Sequence, residues 1–132
     1  MDVGEAMIVA GIGCRKNVAA DAVLAAIDRA LEDHGRSRQD LSALATGSIK
    51  KDEMAIAATA ERLRLPLVLV EQAELETPRT ITHSPKAVAA TGVGSLSEAA
   101  ALSAAGPESR LLGPRIILND VACAIATSGD AS

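Results

Sequence analysis

Phenylalanine, tyrosine and tryptophan are absent from all 132 residues. Proteins that grip single-stranded nucleic acid ordinarily stack its bases on such rings, and duplex binders carry a basic footprint. A chain with no ring and a formal charge of −4 has neither, which argues against nucleic acid as a partner. A flat hydrophobic guest would have only aliphatic side chains and backbone to lie on. Cysteine is nearly as scarce. Cys14 and Cys123 stand far apart with no CxxC pair, which excludes a disulfide framework and points to a reducing, cytoplasmic setting. Histidine occurs only as His34 and His83, without HxxxH spacing, so no metal centre is expected. No apolar run approaches the ~20 residues of a membrane span. The start of the chain, with Asp2 and Glu5, lacks the basic opening and long apolar stretch of a secretory leader.

What the chain does contain is small and branched aliphatic residues, 32 Ile, Leu and Val with 27 Ala. At this length one core is feasible, with about 68% of the unfolded surface buried, so residues 1–132 are expected to form a single domain. Residues 6–11 read as a buried strand. Residues 18–33 read as a helix in which Val23, Leu24, Ile27 and Leu31 recur at helical spacing before Gly35 stops it. A second strand is expected at 41–46, a helix capped by Asp52 runs to Leu63, and Pro66 introduces the strand Leu67-Val68-Leu69-Val70. Alternation of this kind predicts parallel strands joined by helical crossovers. Residues 71–87 read as a short helical turn and an irregular connection, and 88–93 as a strand. A helix capped by Ser95 or Ser97 then runs to Ala105. Leu111 to Leu118 and Val121 to Thr127 are expected to be strands joined by an Asn119-Asp120 hairpin turn, with residues 128–132 frayed. The expected fold class is α/β, a three-layer α/β/α domain around a mixed central sheet of about five strands.

The stretch GIGCRK at 11–16 raises the question of a nucleotide site. Its Gly11 and Gly13 fit the start of a dinucleotide fingerprint, but Lys16 stands where the third glycine belongs, and no GK[ST] ending makes a phosphate loop. Cys14, between a strand and a helix start and beside Arg15 and Lys16, has surroundings that favour a thiolate, although a small buried residue filling the strand end is the more ordinary reading. Lys50 and Lys51 occupy the equivalent place after the second strand. Ligands of open α/β sheets gather outside the carboxyl ends of strands, so these four cations are expected to converge there. Hydroxyls of Thr46 and Ser48 and helix N-terminal amides would complete a site for an anionic, polycarboxylate ligand. Thr91-Gly92-Val93-Gly94-Ser95 is a further glycine turn entering a helix, with Glu98 one turn on as a candidate base or a dipole-complementing carboxylate. Glu53 invites the same two readings, and His83 is a weaker candidate base.

GIGCRK (11–16), TGSIKKDE (46–53), AERLRLPL (60–67) and TGVGSLSEAAAL (91–102), in this order over nearly the whole chain, resemble the CobE/CbiG C-terminal family of cobalamin biosynthesis. The resemblance implies a role at the corrin-ring stage. Longer CbiG-type members open the ring lactone of cobalt-precorrin-5A and release acetaldehyde in the anaerobic route. The stand-alone, CobE-like form, which this chain is expected to be, goes with the aerobic route. The implied ligand is a precorrin-type tetrapyrrole fringed by acetate and propionate groups. Gly13, Cys14, Arg15, Lys16, Thr46, Ser48, Lys50, Lys51, Glu53, Thr91, Gly92, Val93, Ser95 and Glu98 are its expected contacts. No cofactor and no resident metal are called for. Three roles follow from the resemblance: a carrier or accessory protein for the intermediate, a lactone hydrolase with Glu53, Glu98 or Cys14 as the catalytic candidate, and a regulatory subunit of a neighbouring corrin-pathway enzyme.

Overall fold

Alternate residues of the first strand, β1 (Ile8–Cys14), turn to opposite faces of one sheet, and the strand is buried along most of its length. The computed structural model describes residues 7–14, 18–48, 53–71, 74, 96–106 and 108–128. Within them β1 is followed by α1 (Ala20–Asp33), β2 (Ala43–Gly47), α2 (Met54–Leu63), β3 (Leu67–Val70), α3 (Leu96–Ala105), β4 (Arg110–Leu111), β5 (Ile116–Leu118) and β6 (Val121–Thr127). The strand order is β3-β2-β1-β6-β4, with β5 also paired to β6. β1, β2 and β3 run parallel, whereas β6 is antiparallel to β1, β4 and β5, so the sheet is mixed, as expected.

Crossovers that step in one direction along a sheet share one hand and therefore land on one face. The steps from β1 to β2 and from β2 to β3 place α1 and α2 together, over Ile12, Leu44, Val121 and Ile125. The chain then passes to the other side of β1, and α3 covers the opposite face against Val9, Ala43, Ala45 and Ala126. This is the three-layer arrangement that the alternation predicts.

The helices end where their chemistry dictates. In α1 the buried residues Val23, Ala26, Ile27, Ala30 and Leu31 form the expected stripe. Gly35, at φ 67°, then turns the chain so that the Arg36 amide donates to the Leu31 carbonyl and the Gly35 amide to Glu32. Arg64 closes α2 in the same left-handed conformation, and Pro66 follows. The N-cap of α2 differs from expectation, and of the two caps expected for α3 Ser97 is not the one. Glu53, not Asp52, occupies the N-cap position of α2, and Asp52 lies outside the described residues. Ser97 is inside α3 and buried rather than capping it, because the helix already begins at Leu96; Ser95 lies outside the described residues.

Strand boundaries also move, and β2 runs over Ala43–Gly47 rather than 41–46. β1 continues past Gly11 to Cys14, since neither glycine there leaves the extended conformation. The strand expected at 111–118 is broken in two. Residues 112–115 face only Ala124 and Ile125 of β6, a bulge at Gly113-Pro114, where proline has no amide to give the ladder. The Asn119-Asp120 hairpin is present, with φ 53° and 66°, the doubly left-handed turn that suits a two-residue connection. Ser128, expected to be frayed, is held: its hydroxyl accepts the Met7 amide at 2.8 Å. Most of 71–87 and all of the strand expected at 88–93 lie outside the described residues.

Candidate functional site

The carboxyl ends of β1 and β2 open onto one rim. Pairing of Cys14 with Val121 brings the start of β6, and with it the Asn119-Asp120 turn, to the same edge. The first turn of α3 stands there too, because a Cβ at Gly13 would come within 3.7 Å of Leu96 and Ser97. β1 is also where the strand order turns, with β2 added directly on one side and β6 on the other after the chain has crossed the sheet. Such a switch point is where ligands of open α/β sheets usually lie.

The candidate residues take distinct places around this rim. Cys14 is half-buried at the end of β1 and packs against the α1–α2 core. Cys123 is fully buried in β6, and burial pushes its thiol far up, so it stays protonated and inert. Gly13 and Ser48 are half-buried at the ends of their strands. Thr46 lies wholly inside; its Oγ1 donates to the Ile12 carbonyl at 2.7 Å and thereby cross-links β2 to β1. Glu53 sits half-buried at the start of α2 beside Met54, which is 81% exposed.

Glu98 is the site residue whose surroundings were least legible. It is fully buried on the first turn of α3, and its Oε2 accepts the Arg115 backbone amide at 2.8 Å. The carboxylate thus ties the helix start to the bulge of the edge strand. Gly113-Pro114 within an apolar run was a signal for that bulge, but nothing local names its partner. Arg15, Lys16, Lys50, Lys51, Thr91, Gly92, Val93, Ser95 and His83 lie outside the described residues. In sequence, Arg15 and Lys16 follow Cys14 directly, Lys50 and Lys51 come shortly after Ser48, and Ser95 precedes Leu96.

Chemically, a rim that combines strand ends and helix starts offers backbone amides to anions. Among the described residues no group of His, Cys, Asp and Glu is arranged to hold a metal ion. No helix among them is long and apolar enough to cross a membrane.

Comparison with known proteins bears directly on this frame. The family model described as cobalamin synthesis G C-terminus matches residues 8–126. Protein CobE of Sinorhizobium sp is 32% identical over 121 residues, covering 90% of this chain and 79% of that protein. A crystal structure of CobE, a protein from the cobalamin (vitamin B12) biosynthetic pathway, matches with a TM-score of 0.89 at 34% identity, over 96% of this chain and 94% of that one. Cobalamin biosynthesis protein chiG of Agrobacterium tumefaciens matches with a TM-score of 0.73 at 40% identity, over 94% of this chain and 100% of that one. With sequence and fold in agreement, the chain belongs to the cobalamin synthesis G C-terminal family and is a CobE-like protein of cobalamin biosynthesis.

Proposed function

We infer that this chain binds a precorrin-type tetrapyrrole intermediate at the rim and serves the aerobic route as its carrier or accessory protein, in the cytoplasm. The observation that carries this reading is the meeting of the β1 and β2 carboxyl ends with the first turn of α3, each end being continuous in sequence with a segment rich in cations or glycine amides. A precorrin is fringed by carboxylates. Arg15, Lys16, Lys50 and Lys51 supply charge for that fringe, and helix-start amides supply hydrogen bonds. Neither cysteine is joined in a disulfide, which suits a reducing compartment.

The hydrolase alternative falls chiefly on Glu53. Opening a lactone requires a base that reaches water, and Glu53 is half-buried at the rim, whereas Glu98 is enclosed and holds the Arg115 amide. Cys14 is the remaining nucleophile candidate. One titration separates the roles. A lactone-bearing precorrin added to the wild-type chain should change its visible absorbance with saturation. Lys50→Ala combined with Lys51→Ala should weaken the affinity about tenfold or more. Unchanged affinity in that variant, or no uptake by the wild type, rejects the binding reading. Ring-opened product in the same incubation replaces the carrier by the hydrolase, and a stable complex with a pathway enzyme without pigment affinity favours the regulatory subunit.

A further inference from the structure

The two edges of the sheet are finished differently. On one side β4 and β5 border β6, and the bulge between them breaks the edge, with Arg110 and Pro114 exposed along it. Bulges, prolines and charges are the usual protection of a free edge against pairing with another chain. On the other side β3 carries none of these. Leu67-Val68-Leu69-Val70 is uncharged and unbroken, no described strand lies beyond it, and Leu69 is 41% exposed.

The backbone of this edge has a defined pattern. The Pro66 carbonyl accepts the Leu44 amide at 3.0 Å, so position 66 faces β2, and by the period of two so do 68 and 70. Leu67 and Leu69 therefore turn their amides and carbonyls outward. Pro66 does not blunt the edge, because the amide it lacks would point at β2. The side chains of Leu67 and Leu69 lie on the α1–α2 face, where Leu67 packs against the core.

We propose that β3 is a dimer interface, on which β3 of a second copy of this chain pairs antiparallel about a two-fold axis through Val68. Hydrogen bonds form only where outward residues oppose outward residues, and this register uses both of those in β3. Leu67 exchanges its backbone bonds with the partner's Leu69, so each exposed Leu69 gains the partner's Leu67 as its neighbour on the same face. Leu65 then opposes the partner's Glu71, which sets that carboxylate beside Arg64. Both Arg64 and Glu71 are exposed, and neither has an ion-pair partner among the described residues of one copy. Opposite charges that meet at both ends of the pairing select a second copy over an unrelated apolar strand. Because the pairing is antiparallel, the two rims lie at opposite ends of the joined sheet.

Sedimentation equilibrium and amide hydrogen exchange test the interface. The wild type should show a monomer–dimer equilibrium. Its Leu67 and Leu69 amides should gain protection as concentration rises, while Val68 and Val70 are protected throughout by β2. Leu69→Lys, at an exposed position, should raise the dissociation constant at least about tenfold and keep the thermal midpoint of the dilute monomer. Arg64→Glu and Glu71→Arg should each weaken the dimer about fivefold, and the two combined should restore it. A chain that stays monomeric up to about 1 mM overturns the proposal. So does a dimer that Leu69→Lys leaves intact, or a charge swap that does not recover. Protection of Leu67 and Leu69 already complete in the monomer overturns it as well, since the chain itself would then cover the edge.

Discussion

On the α1–α2 side of the sheet the core is filled by Ile12, Ile27, Leu31, Leu44, Ile56 and Ile125, whereas on the α3 side it consists largely of Ala43, Ala45, Ala99, Ala100, Ala101 and Ala126, with Gly11 beneath the helix. One face is held by side-chain volume and the other by close approach of backbones. Both solve the same problem, excluding water from a sheet face. Their tolerances are opposite: the first suffers from carbon removed and the second from carbon added.

The largest effect should come from emptying the first face. Leu44→Ala removes a fully buried branched side chain and should cost about 4 kcal/mol, read as a lowered denaturant midpoint at constant slope. Gly11→Ala, the addition of one carbon on the second face, should cost about 3 kcal/mol by forcing α3 off β1. A milder loss there than for Ile27→Val would break the contrast between the faces. Glu98→Ala should cost about 2 kcal/mol by leaving the Arg115 amide without its acceptor. Glu98→Gln, which keeps an acceptor, should stay within about 1 kcal/mol. A Gln variant as damaged as the Ala variant would show that the negative charge, rather than the hydrogen bond, holds the bulge to α3.

Much of this fold could be read locally. α1 announces itself by Val23, Ile27 and Leu31 and by the glycine that ends it, and the Asn119-Asp120 turn by two residues that tolerate left-handed backbone. The broken edge strand was legible in part, through Gly113-Pro114. Glu98 was not. A glutamate on a first helical turn reads equally as a dipole partner, a base or a solvated group, and only the arrival of Arg115 from the far end of the chain distinguishes these. Thr46 is a similar case, its hydroxyl taken by a carbonyl of the neighbouring strand. The proposed site was put at the strand ends by strand–helix alternation alone, because crossovers return helix starts to that edge.

By itself the amino-acid order determined the alternation of strands and helices, the places where helices stop, the absence of any ring for stacking, and the four stretches that mark the family. These depend on spacings of a few residues, over which periodicity and turn chemistry act. Tertiary structure alone decided which face each helix covers, that Gly11 is required by a helix far away in the chain while Gly13 is not, and that a buried carboxylate meets an edge-strand amide. Those outcomes arise from pairing between distant segments, where register across several strands sets each contact and no local pattern carries the information.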